Sequence, residues 1–283
     1  MSYLTTPTSF ITVDGTKIAY RELSPGASRL PLVMLVHLAA NLDNWDPRLV
    51  DQLAIDRHLI LLDLPGVGAS GGTVPPTLEE AGEQAARIVR GLGHDRVDLL
   101  GLSMGGMIAQ EVVRHDPELV KRLILVGTGP PAGLGIDKVT PTTFRHMLRA
   151  ALKRKDPKRY IFYTHDARGE AVANEVLGRL GSRSAQYADK AMAVTSFLRQ
   201  LRAIKRWGTS PADDLSHIAM PTLIVNGDTD DMVPTPNSYD MHKRIAGSRL
   251  VIYPHAGHGS LFQNPDDFTV EVNAFLTDAA ADS

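Results

Sequence analysis

Short runs of Val, Ile and Leu recur between longer helical patterns from residue 31 to 128, and this alternation leaves few folds open. Leu32–Val36, Leu59–Leu62, Val97–Leu100 and Leu123–Val126 are largely apolar throughout, without the every-other-residue polarity of a half-exposed strand. Runs of that kind suit strands covered on both faces. The stretches between them, such as Leu78–Leu92 and Met107–Arg114, carry apolar residues at helical spacing. Strand alternating with helix predicts a mostly parallel sheet with helices on both faces and right-handed crossovers. The start differs. Phe10–Val13 and Lys17–Glu22 flank Asp14-Gly15, a two-residue hairpin signal, so an antiparallel hairpin is expected at one edge of the sheet.

From about Gly129 to Asp214 the strand pattern stops, and consecutive helical stretches follow, punctuated by Gly and Pro. Strand-like runs return at Thr222–Val225 and Leu250–Tyr253, and Phe268–Leu276 closes the chain as a helix. The expected fold class is therefore α/β, with a sheet of about eight strands. Its core comprises residues 1–129 and 214–283, and a helical cap, 130–213, is inserted before the penultimate strand.

Several classes of function fall away on composition. The chain has no cysteine, which excludes disulfides, zinc–thiolate centres and a cysteine nucleophile. A formal charge of −2 gives no reason to expect nucleic acid as a partner. The longest apolar stretch, Leu30–Ala40, is broken by Pro31 and His37 and is too short to span a bilayer. Met1–Val13 lacks a basic segment followed by an apolar run. A cytoplasmic enzyme acting on a small molecule is expected, with no membrane partner; self-association into a homo-oligomer is compatible with this reading. The ten histidines are scattered, with no H-E-x-x-H and no carboxylate cluster, so no metal is expected. Asp63–Ser70 is glycine-rich but lacks the G-x-G-x-x-G spacing and a Walker lysine, so it reads as a tight turn and no cofactor is expected. Residues 141–210 hold 15 Lys+Arg against 5 Asp+Glu. That excess either steers anionic substrates or belongs to solvated helix faces.

The strongest chemical signal is Gly101-Leu102-Ser103-Met104-Gly105, which follows an apolar run and opens a helix. In that context G-x-S-x-G describes a nucleophile elbow, in which the strand reverses into a helix within a few residues and lifts the serine hydroxyl above the sheet edge. Side chains at 101 and 105 would collide with neighbouring backbone. The Met104 N–H then points to where an oxyanion develops. A serine needs a base, oriented by a third group. His258, framed by Gly257 and Gly259, is expected to be that base, on a mobile and exposed loop; His255, nearer the strand end, suits a structural hydrogen bond. Three aspartates, Asp228, Asp230 and Asp231, follow the Thr222–Val225 run. Asp230 is the candidate acid, with the other two as turn or cap residues. The second oxyanion donor is expected in the loop after Leu32–Val36, from Ala39 N–H or alternatively Leu38. Trp45 reads as a packing residue. Leu38, Phe144, Met147, Phe197 and Trp207 are candidate substrate contacts, although aromatic and Met residues at helical spacing also pack helices together.

Taken together, the His37 loop, Asp63–Ser70, Gly101–Gly105, Gly227–Pro234 and Gly257-His258-Gly259 closely resemble the α/β-hydrolase superfamily, across nearly every residue outside the cap. The resemblance maps the family pattern Gly-x-x-Asp-x-x-Val-Pro onto Gly227, Asp230, Val233 and Pro234, and so implies Asp230 as the acid. Ser103-Met104-Gly105-Gly106 is similar to the branch containing cofactor-free haloperoxidases, carboxylesterases, lactonases and carbon–carbon bond hydrolases. Leu38 departs from the family, which usually has glycine after the histidine, and the second oxyanion donor is affected by it. Ser103 also sets the chain apart from haloalkane dehalogenases and epoxide hydrolases, which place Asp at the elbow. The implied activity is hydrolysis of a small ester, thioester or lactone through an acyl-enzyme. The alternatives are perhydrolase or lyase chemistry on the same triad, or a slow-turnover, receptor-like ligand-binding member.

Overall fold

The computed structural model describes residues 2–27 and 29–277; residues 1, 28 and 278–283 of the expected core lie outside the described residues. Eight strands form one sheet: β1 (Ser9–Val13), β2 (Thr16–Leu23), β3 (Leu32–Leu35), β4 (Leu59–Leu62), β5 (Val97–Leu102), β6 (Val120–Val126), β7 (Thr222–Gly227) and β8 (Arg249–Tyr253). Their order is β1-β2-β4-β3-β5-β6-β7-β8. β2 runs antiparallel to β1 and to β4, and the remaining neighbours are parallel. Asp14 and Gly15 both take positive φ, 49° and 74°, between paired Val13 and Thr16. That is the type I′ turn the sequence calls for.

Among the described residues, ten α-helices accompany the strands: α1 (Pro47–Leu53), α2 (Leu78–Gly91), α3 (Met104–His115), α4 (Val139–Lys153), α5 (Lys158–Phe162), α6 (Ala167–Leu180), α7 (Val194–Thr209), α8 (Pro236–Arg244), α9 (Ser260–Gln263) and α10 (Pro265–Thr277). Their starts follow local chemistry. Asp46 caps α1 ahead of Pro47, and the Thr77 hydroxyl accepts from Glu80 N–H at the start of α2. The central strands are buried on both sides, which is why they read as unbroken apolar runs. Val33, Leu35, Ile60 and Leu62 face α2 and α3, while Leu32, Met34, Leu59 and Leu61 face α1 and α10.

Helices α4–α7 lie between β6 and β7, the position at which the sequence pattern breaks. Basic groups on this segment meet acidic groups of the loops beside the sheet. Arg179 on α6 grips Asp46 with two hydrogen bonds of 2.7 Å, Nε to Oδ1 and Nη2 to Oδ2. Arg183 lies 3.1 Å from Asp43, and His146 on α4 donates to Asp231 at 3.0 Å. Part of the positive excess in 141–210 therefore holds the helices onto the sheet. Forked arginine–carboxylate pairs suit this because both donors align at once.

At the opposite edge of the sheet, the wholly buried Asp98 of β5 pairs with the Arg57 guanidinium at 3.1 Å. Removing the carboxylate strands a buried cation, which costs more than the pair contributes. Asp98→Ala is expected to destabilise the chain by about 3–5 kcal/mol in urea unfolding. A shift under about 1 kcal/mol would show that water or another carboxylate takes over the charge.

Candidate active site

The carboxyl ends of β5, β7 and β8 carry Ser103, Asp230 and His258 to one place. Ser103 joins β5 to α3 with φ 56° and ψ −117°, a strained conformation for a residue with a side chain. Two glycines make room for it: a Cβ at Gly101 would strike the Gly105 carbonyl and Gly106, and one at Gly105 would strike the Leu35 carbonyl. The hydroxyl of Ser103 donates to His258 Nε2 at 2.9 Å, and His258 Nδ1 donates to Asp230 Oδ2 at 2.8 Å. An ionised carboxylate can only accept, so this bond places the ring proton on Nδ1 and leaves Nε2 free to receive one. The second Asp230 oxygen accepts from the N–H groups of Met232 and Val233, at 2.9 and 3.0 Å. All three side chains are buried.

The other aspartates take different partners from those expected. Asp228 accepts from Ala256 N–H across the two loops, and Asp231 binds His146 of α4. Neither caps a helix. His255 also departs from expectation: its side chain is exposed, and its carbonyl accepts from Gln263.

The expectation of a mobile, exposed imidazole at 258 is corrected. His258 is 3% exposed and stacks on Phe162, with ring centroids 5.4 Å apart. The flanking glycines serve close approach instead. Gly259 N–H donates to the Phe162 carbonyl at 2.7 Å, and a Cβ at Gly259 would lie 2.9 Å from Phe162. Phe162, on α5, is thus a site residue that sequence reasoning missed. A lone aromatic in a helical stretch carries no signal of the ring it will stack on.

Two backbone N–H groups were expected at the oxyanion position. Met104 is the first residue of α3, so its N–H has no acceptor within the helix. Ala39 takes positive φ, 62°, in place of Leu38. Its N–H donates to Oε1 of Gln200, a buried side chain of α7, at 2.9 Å. An anion arriving there has to replace that amide oxygen.

A cavity of about 480 Å³ opens over Ser103 and His258. The candidate substrate contacts Leu38, Met147 and Phe197 line it, with Ile161, Phe162 and Met192 as unanticipated neighbours and Lys158 and Asp156 as charged groups. Phe144 and Trp207 are corrected: neither reaches the cavity wall. Phe144 is 46% exposed and packs edge-on against Phe197. Trp207 is buried against the loop after β6, donating to the Gly129 carbonyl at 3.2 Å. Met147 and Ile204, each one turn away from one of them, do line it, so spacing along one helix does not tell which residue reaches the wall.

The sequence model of the α/β hydrolase fold matches residues 31–265. The chain belongs to the α/β hydrolase fold family, a family of enzymes. It is 31% identical to a 2-hydroxy-6-oxononadienedioate/2-hydroxy-6-oxononatrienedioate hydrolase of Klebsiella pneumoniae, over 78% of this chain and 77% of that one. It is 27% identical to a non-heme haloperoxidase of Rhodococcus erythropolis, over 94% and 98% of the two chains. Among solved structures, an α/β hydrolase fold protein from Chitinophaga pinensis superposes with a TM-score of 0.90 at 32% identity, covering 98% of this chain and all of that one. Among the described residues, no helix is long and apolar enough to cross a membrane.

His37 lines the cavity and is buried; loss of hydration pushes its pKa down to about 3, against 6.5 in water. Its Nδ1–H donates to the Leu38 carbonyl at 2.8 Å. The unfolded chain takes up this proton below about pH 6.5 and the folded chain does not until about pH 3, so folding stability is lost as pH falls across that window. Ring-proton NMR is expected to show His37 neutral from about pH 8 to 5. A His37→Gln variant should lose less stability on acidification than the parent; an equal loss would assign the effect to other groups.

Proposed function

We propose that this protein is a serine hydrolase that cleaves a small ester, thioester or lactone through an acyl-enzyme. The observation carrying the proposal is the unbroken line Ser103 Oγ–His258 Nε2 at 2.9 Å and His258 Nδ1–Asp230 Oδ2 at 2.8 Å, at the floor of a mostly apolar cavity. Ser103 Oγ attacks the carbonyl carbon while His258 Nε2 takes its proton. Asp230 holds the ring and stabilises the imidazolium. Met104 N–H receives the developing oxyanion, joined by Ala39 N–H once the Gln200 amide has moved aside. His258 returns the proton to the leaving oxygen or sulfur. Water, deprotonated by the same ring, then releases the acid and restores Ser103.

The cavity volume falls in the range of small-molecule sites, and its Leu, Met and Phe lining suits a modest acyl or aromatic group. Helices α4–α7 act in this reading as a cap domain that supplies much of that lining. A second reading, perhydrolysis, is favoured by the similarity to a non-heme haloperoxidase. There hydrogen peroxide replaces water at the acyl-enzyme and the product is a peracid, so a peracid assay separates the two.

A fluorophosphonate probe is expected to label Ser103 alone. Ser103→Ala should abolish labelling and lower kcat/KM by about four to six orders of magnitude with little change in Tm. Asp230→Asn should cost about four orders by disturbing the histidine tautomer. Normal turnover in Ser103→Ala would sink the assignment. Across a p-nitrophenyl ester series, kcat/KM is expected to peak at an intermediate acyl length, whereas a flat profile would mean the cavity does not measure the acyl group.

A further inference from the structure

The scattered histidines are less scattered in space than in sequence. Glu22 of β2, His58 immediately before β4 and His94 just beyond α2 each offer a ligand atom, and the three atoms all lie within 4.8 Å of one another. His58 begins at the amino end of β4, so the cluster lies at the sheet edge opposite Ser103. His58 Nε2 is 3.0 Å from Glu22 Oε1, and the His58 and His94 rings meet edge to face with centroids 5.7 Å apart.

Each ligand stands on constrained backbone. Glu22 pairs with Ile60 in the antiparallel ladder, and His58 is two residues before Ile60, so both side chains leave the same face of the sheet. That is the face on which α2 packs. The His58 carbonyl accepts from Leu32 N–H at 2.8 Å. His94 is aimed by the end of α2. Gly93 takes φ 89°, its N–H donates to the Arg90 carbonyl at 2.9 Å, and His94 N–H donates to the Val89 carbonyl at 3.3 Å. This double closure is a Schellman turn, which needs glycine at the left-handed position. His58 is buried, while Glu22 and His94 are partly exposed, leaving a solvent side.

We propose that Glu22, His58 and His94 form a site for a borderline divalent transition metal ion such as Zn²⁺, with water completing the coordination. Two imidazoles and one carboxylate are the donors Zn²⁺ and Co²⁺ favour, whereas Ca²⁺ and Mg²⁺ favour all-oxygen sets. Tetrahedral ligand atoms at zinc–nitrogen distances stand about 3.3 Å apart, so closing the set takes only small side-chain movements. As the metal takes the place of the hydrogen bond between His58 Nε2 and Glu22, His58 binds as the neutral tautomer with its ring proton on Nδ1. Bound metal clasps the edge hairpin to β4 and α2 and has no part in the proposed hydrolysis, so the two readings stand or fall separately.

The test is titration of chelator-stripped protein with Co²⁺, followed by its visible absorption, with Zn²⁺ as competitor. One equivalent of Co²⁺ is expected to bind, with intense bands of low coordination number that Zn²⁺ removes. Excess Zn²⁺ should raise Tm by several degrees. His94→Ala and Glu22→Gln should each weaken binding by at least about tenfold and lose the gain in Tm, while ester turnover stays at the parental rate. His94→Gln replaces His94→Ala if the latter fails to fold. Absence of saturable binding would overturn the site, and so would binding unchanged in both variants, which places the metal on other histidines.

Discussion

The turn at Ser103 is the constraint around which the site is arranged. A residue with a Cβ held at φ 56° costs about 1–3 kcal/mol, and it persists only because the surroundings leave no alternative. β5 is hydrogen-bonded on both sides, to β3 and to β6, so its end cannot shift. α3 packs directly over it, with Gly105 against the Leu35 carbonyl and Gly106 against Thr128. The strain aims the hydroxyl at the His258 ring and directs the first N–H of α3 at the same small volume. Everything proposed about the chemistry depends on that fixed direction.

Opposite charges hold the roof of the cavity in place. The positive residues of α4–α7 could have been purely solvated faces or a funnel for anions. Arg179 and Arg183 instead bind Asp46 and Asp43, and His146 binds Asp231, one residue from Asp230. Gln200 goes further, reaching from α7 to the Ala39 N–H beside Ser103. The helical segment is thus bonded to two of the loops that carry the site. Through Gln200, α7 is coupled to the proposed oxyanion position.

Much of the fold was legible because burial on both faces of a parallel sheet leaves a direct mark on sequence. The eight strands, the Asp14-Gly15 turn and the helical stretch before β7 follow from runs of apolar residues, a two-residue turn signal and a change of period. Ser103, Asp230 and His258 were legible because each stands in a loop whose glycines or spacing are unusual. Phe162, Gln200 and wall residues such as Ile161 were not. Their roles depend on how the helices rotate and stack over the site, and Phe144 and Trp207 lie one turn from wall residues without reaching the cavity.

By itself, the sequence determined the layers of the fold, the order of Ser103, Asp230 and His258 along the chain, and the absence of cysteine. These depend on local properties: hydrophobic period, backbone freedom at glycine, and residue type. Only the tertiary structure decided that the glycines beside His258 admit the Phe162 backbone, that Gln200 occupies the Ala39 N–H, and that Glu22, His58 and His94 converge. Such meetings are between segments far apart in the chain, and their geometry is set by helix rotation and loop closure, which no local pattern encodes.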